Sequence, residues 1–320
     1  MKNKISVIMR FVISFGLLAL LFWIMRNDIR NIWATISRSS LHFIVIAVVF
    51  ILINATMLSY RLKVIFLGEN LQITLGEAVQ LTFMGYFFNN FMPTAVGGDI
   101  IKAHYAAELN QKRIQSYASV LMDRFIGLYS FLVVAAVALV IDRGRFQMAV
   151  IRPLVFCLLA AGLAGFIIAT NKTVARFIER FFMRLKMLRL GERLMAAYNI
   201  VHDYRNRRDV VAKSFLVSLF AQCLYFGVVY LFFLSLGTRV SLGNICLIMP
   251  VVTFISMIPS LGGLGVREGA MVAFFAPLVG KDTAFAVSLL SLFGLFLISI
   301  IGGVIYLWWG FSRARKERHQ

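Results

Sequence analysis

The stretch LHFIVIAVVFILINATML, residues 41–58, runs for eighteen positions without a charged side chain. About 20 apolar helical residues cross a bilayer core of ~30 Å. Working outward, the same signature recurs. Runs at roughly Val7–Met25, Tyr117–Ile141, Ile151–Thr170, Ser214–Leu236 and Thr283–Trp309 bring the expected full spans to six. The whole chain agrees with that reading: 60% of its residues are hydrophobic, 15% are charged, and mean hydropathy is +0.84. A soluble domain carries about 25% charged residues. The fold class expected is therefore all-α, a polytopic transmembrane helix bundle. The first run has a basic start but no small-residue cleavage site, so it reads as a retained span and not a signal peptide.

Two further apolar regions differ. Residues 76–108 and 242–280 are each interrupted by Pro and Gly, and each reads as two short helices around a break: 76–91 then 99–108, and 243–257 then 267–279. With these included, both halves of the chain read span, span, broken hairpin, span. Three full crossings per half is an odd number, so the second half would be upside down relative to the first. Inverted repeats with discontinuous helices characterise many secondary transporters. The division expected is a first repeat over 1–145 and a second, inverted repeat over 150–311. A cytoplasmic segment at 171–213 lies inside the second, and a tail follows at 312–320. The hairpins either re-enter or fully cross, since both give the same loop orientation.

The net charge is +19, from 33 Lys+Arg against 14 Asp+Glu. In a membrane protein such an excess reads as cytoplasmic loop charge against anionic headgroups, so no nucleic-acid partner is expected. Segment 171–213 holds eleven Lys/Arg against four acids. With the basic tail it places both termini in the cytoplasm of a multi-pass protein, expected in a bacterial plasma (inner) membrane. Within it, Phe177, Ile178, Phe181, Phe182, Leu185 and Leu188 fall at helical spacing between Arg176, Arg180, Arg184 and Lys186, as in a basic amphipathic helix on a membrane surface. The reading preferred for it is a simple anchor. The cysteines Cys157, Cys223 and Cys246 and the four histidines are scattered, without metal-ligand spacing, so neither metal nor cofactor is expected. The tryptophans Trp23, Trp33, Trp308 and Trp309 fit interfacial belts.

The chemistry concentrates at the breaks. The first reads NNFMPTAVGGDIIK, residues 89–102, and the second PSLGGLGVREG, residues 259–269. Each is a Pro/Gly loop, then an acid and a base, then a helix. Non-helical backbone at membrane depth survives only inside protein or beside water. The helix that follows offers free N–H groups and a positive dipole end, which suit an anion. Lys102 and Arg267 add full charge, and a phosphate headgroup is the guest such a site would take. The alternative is that Asp99/Lys102 and Arg267/Glu268 pair structurally or snorkel. Asp123 and Arg124 either neutralise the first hairpin's charges or sit at the cytoplasmic interface. Arg61 and Lys63 read as ordinary flank charges closing the second span.

The order NNFMPTAVGGD, then DRFIGL, then PSLGGLGVREG resembles the lysylphosphatidylglycerol synthase transmembrane family, also called the flippase-like domain family. The resemblance covers nearly the whole chain. It points to Asn90, Pro93, Gly97, Gly98, Asp99, Asp123, Arg124, Pro259, Gly262, Gly263, Gly265, Arg267 and Glu268. The reading of the breaks adds Asn89 and Lys102, which completes the candidate substrate-binding set. Bifunctional members of the family continue into a soluble aminoacyl-transferase domain. This chain ends at Gln320, eleven residues after Trp309, so synthase activity is not expected from the family name. The function expected is a flippase-like transporter of an anionic phospho- or isoprenoid-linked lipid, with Asp99 and Glu268 as candidate proton or ion carriers and no catalytic residue. The rivals are a membrane-embedded lipid or glycosyl transferase and an accessory partner of a lipid-modifying enzyme.

Overall fold

The computed structural model describes residues 36–92, 97–142, 151–170, 204, 207–258 and 263–317. The expected first span at 7–25, the amphipathic segment 171–195, the break residues Pro93, Pro259 and Gly262, and the extreme tail lie outside the described residues. Nine helices follow in order among them: α1 (Leu41–Gly68), α2 (Leu75–Phe91), α3 (Gly97–Asn110), α4 (Arg113–Asp142), α5 (Ile151–Thr170), α6 (Arg208–Ser235), α7 (Leu242–Ile255), α8 (Val266–Val279) and α9 (Lys281–Glu317). No strand occurs among the described residues. Four of the helices, α1, α4, α6 and α9, are long and apolar enough to cross a membrane. The chain is an all-α, polytopic helical membrane protein.

Local chemistry sets the helix ends. Thr74 caps α2: its hydroxyl accepts from Glu77 N at 3.2 Å, and Glu77 reaches back to Thr74 N at 2.7 Å. This reciprocal box satisfies two donors that the first turn leaves open. Ser241 caps α7 through Gly243 N at 3.2 Å. Gly280 ends α8 with φ +84°, a conformation that glycine reaches without strain. α1 runs ten residues beyond the expected boundary at Leu58, past Arg61 and Lys63.

Both breaks fall where the sequence puts them, between α2 and α3 and between α7 and α8. The arms of the first hairpin meet closely. A Cβ on Gly98 would overlap the Gly85 carbonyl, and one on Gly302 of α9 would overlap the Phe83 carbonyl of α2. Small residues let membrane helices approach backbone to backbone.

The bundle packs in matched pairs. α1 lies along α6; α2 packs on α9 as α7 packs on α4; α3 packs on α4 as α8 packs on α9. The largest buried cluster joins α1, α2, α4, α5, α6, α7, α8 and α9 through residues such as Ile51, Phe83, Ala135, Val155, Phe226, Met249, Phe275 and Leu290. The outer face stays apolar: Val45, Val49, Phe220, Ile300 and Val304 are exposed, as lipid contact requires.

Polar contacts mark the two ends of the bundle. Ser40 N donates to Ser235 O at 2.7 Å, bringing the start of α1 to the end of α6. At the opposite end, Lys112 donates to Asn70 O, Arg207 pairs with Glu69 at 3.2 Å, and the Tyr204 hydroxyl donates to Ile65 O at 2.9 Å. Burial pushes the Tyr204 phenol above its ordinary range, against the opposing pull of its hydrogen bond with Ser119.

Candidate functional site

The break between α2 and α3 is held by a side chain. Asn89, in the last turn of α2, accepts from Gly98 N at 2.8 Å through its Oδ1. That bond satisfies one of the open donors at the start of α3. Asn90 is tied to Ser299 of α9, which fixes the hairpin against the long helix. Gly265 precedes α8 with φ +80°, and its N–H donates to Glu268 Oε2 at 2.6 Å. The N-termini of α3 and α8 are therefore partly occupied by the chain's own acceptors, Asn89 and Glu268, and are not bare anion sites.

Asp99, Lys102, Asp123 and Arg124 converge. Lys102 Nζ lies 3.3 Å from Asp99 Oδ1 and 4.0 Å from Asp123 Oδ2, and Arg124 binds the other Asp99 oxygen. Of the two readings open for Asp123 and Arg124, the structure shows the first: they neutralise the hairpin charges. Arg61 departs from expectation. It is buried, not a flank charge; its Nε donates to Asp123 Oδ1 at 2.7 Å and its Nη1 to Ser218 Oγ at 2.9 Å. Burial is possible because every charge in this chain of five has an opposite neighbour, which avoids the heavy cost of an unpaired buried ion. Across the site, Arg267 forms a fork on the single Glu268 Oε1 at 2.6 and 3.1 Å, and Glu268 is 1% exposed.

Between the two hairpins lies a cavity of about 390 Å³. Helices α1, α2, α3, α4, α6, α7, α8 and α9 all contribute to its wall. Four cations line it, Arg61, Lys102, Arg124 and Arg267, against the two carboxylates Asp99 and Asp123. Counting Glu268 behind Arg267, the cluster keeps one excess positive charge when all groups are ionised. Neutral polar groups, Asn54, Thr82, Asn89, Asn90, Gln222, Thr253 and Ser256, share the rest of the wall with apolar and aromatic side chains such as Leu58, Phe131, Tyr225 and Leu295. Of the sequence-selected set, Asn89, Asn90, Asp99, Lys102, Asp123, Arg124, Gly263 and Arg267 line the cavity. Gly97, Gly98, Gly265 and Glu268 stand behind its wall. Arg61, Asn54 and Gln222 were missed because each lies inside or beside an ordinary-looking span. Asn54 and Gln222, each inside an apolar run, were the available signals, since polar groups inside membranes usually face a cavity or a partner. No cluster of three potential metal ligands occurs among the described residues.

A bundle with several membrane-crossing helices, two interrupted hairpins and a charged cavity between them defines a polytopic membrane protein with a polar interior site. The sequence profile described as "Lysylphosphatidylglycerol synthase TM region" matches residues 7–303, and the chain belongs to that family. Among curated proteins, it is 23% identical over 341 residues to a UPF0104 membrane protein of Methanothermobacter thermautotrophicus, covering 99% of this chain and 98% of that one. It is 23% identical over 318 residues to a UPF0104 membrane protein of Pyrococcus horikoshii, covering 91% and 93%. A second Methanothermobacter UPF0104 membrane protein is 26% identical over 251 residues, covering 71% and 72%. No solved structure matches the chain.

Proposed function

We propose that the protein is a flippase-like transporter that moves an anionic phospho- or isoprenoid-linked lipid between the leaflets of a bacterial inner membrane. The observation that carries this reading is the cavity between the two broken hairpins, with Arg61, Lys102, Arg124 and Arg267 in its wall. Cations buried among apolar helices are costly and mark pathways by default. About 390 Å³ is at the small end of the range for ligand sites. It suits a headgroup whose chains remain in lipid. Charge-assisted contacts from Lys and Arg suit its phosphate.

The pairing of helices supports two inverted repeats, 1–145 and 150–311. Exchanging α1–α4 with α6–α9 returns the same principal packing pairs. In such a pair of repeats, the site sits at the interface and is exposed to each side in turn. The basic end of the bundle, with Lys112, Arg207 and Arg208, faces the cytoplasm in this reading.

The test is transbilayer movement of labelled lipid in liposomes holding the purified chain. The panel is phosphatidylglycerol, aminoacylated phosphatidylglycerol and an isoprenyl phosphate. One lipid moves with the wild type, and Arg267→Ala and Lys102→Ala each slow it by roughly tenfold or more, the worth of one charge-assisted hydrogen bond. If no lipid moves, or if a lipid is chemically converted instead, the transporter reading is wrong.

A further inference from the structure

The two carboxylates in the cavity wall are not equivalent. Asp123 is fixed: Arg61 holds it at 2.7 Å, both side chains are at most 8% exposed, and Arg61 is itself tied to Ser218 of α6. Asp99 faces the opening more, at 16% side-chain exposure, and its partners are Lys102 at 3.3 Å and Arg124. Both partners line the cavity and carry the charge that a phosphate would engage. Two largely buried cations side by side need a counter-charge, and Asp99 supplies it.

Resting on the anionic-lipid reading above, we propose that Asp99 is a resident counter-anion, occupying on Lys102 and Arg124 the place that the headgroup phosphate takes during transport. Its carboxylate and the phosphate are alternative ligands of the same two cations. When lipid enters, phosphate displaces Asp99. When lipid leaves, Asp99 recaptures Lys102 and Arg124 and aids release. Asp99 therefore lowers affinity for the anion and raises the rate of exchange. A direct substrate ligand would act in the opposite sense on affinity.

The experiment is equilibrium binding of fluorescent phosphatidylglycerol to the full chain in phosphatidylcholine nanodiscs. Glycerol phosphate, a chain-free phosphomonoester that carries the glycerol and phosphate of the headgroup, is titrated in a parallel arm. Asp99→Asn binds the lipid roughly tenfold more tightly, the effect of freeing one charge-assisted contact for the ligand, while its transport rate at saturation falls. Asp99→Ser does the same. Asp99→Glu, which keeps the charge, stays within about threefold of wild type, well short of a lost charged contact. Tightening in the glycerol phosphate arm as well supports the exchange with the headgroup alone; tightening in the lipid arm only supports the exchange with chains engaged.

Unchanged or weaker binding by both charge-removing variants overturns the proposal. So does equal tightening by Asp99→Glu, because charge is then not the cause. Misfolding of both Asp99→Asn and Asp99→Ser also overturns it, since it makes the carboxylate a structural requirement. Failure of the wild type to bind either probe would instead sink the anionic-lipid reading itself. The two failures are thus distinguishable.

Discussion

Arg61 lies three residues beyond the apolar run 41–58, and its side chain turns into the bundle. It crosses beside Gly127, where a Cβ would stand 3.0 Å from the guanidinium, and reaches Asp123 on α4 and Ser218 on α6. One side chain thus ties three helices together. Arg61→Ala leaves Asp123 buried without its closest cation and costs about 3–5 kcal/mol, as breaking a buried pair does. The check is thermal unfolding of the variant in detergent, and a loss under about 1 kcal/mol, the value of a surface pair, would refute the role. This residue was misread in sequence for a physical reason. A hydropathy run ends at the first charge, and a charge at its end looks solvated. The partner that allows burial stands 62 positions away, where no local pattern can show it. Asp99, Lys102 and Arg267 were legible because each sits beside a Pro/Gly break, where the backbone itself announces something other than a span.

At the scale of elements, the broken hairpins are built by close approach. The first arm, α2, carries Gly85 opposite Gly98 of α3, and Asn89 bridges the gap by accepting from Gly98 N. Gly98→Ala forces a methyl group into the Gly85 carbonyl, which is backbone and cannot rotate away. Overpacking of this kind costs about 1–3 kcal/mol, and here it also pries the hairpin from its Asn89 cap. The expected outcome is a lowered melting temperature together with weakened lipid binding, while Gly269→Ala, where nothing lies within 4 Å, stays near wild type in melting temperature. Equal behaviour of the two variants would show that the crossing is loose. The positions of both breaks were legible from Pro and Gly, and the observed arms, 75–91 with 97–110 and 242–255 with 266–279, differ from expectation by only a few residues at each end. The lengths of α1, α4, α6 and α9 were underestimated, because their charged ends are paired within the bundle or extend past its apolar part.

Across the whole molecule, the contacts separate two ends without reference to charge. Ser40 meets Ser235 at one end, while Glu69, Asn70, Lys112, Tyr204 and Arg207 gather at the other. α1 and α6 are therefore antiparallel, and the turns around Gln111 and Arg239 lie at opposite ends. Gln111 follows α3 with φ 55° at the basic end, and Arg239 lies in the turn between α6 and α7. Both are exposed. In the proposed orientation, the excess of Lys and Arg near the Gln111 end faces the cytoplasm, by the positive-inside tendency. Single-cysteine variants test this in a background where Cys157, Cys223 and Cys246 are replaced by serine. In intact cells with a permeabilised outer membrane, a membrane-impermeant maleimide should label Arg239→Cys. Gln111→Cys should be labelled only after the inner membrane is opened. Labelling of both variants without opening it would contradict the span count between the two turns. The reverse pattern would keep the fold but turn the molecule over.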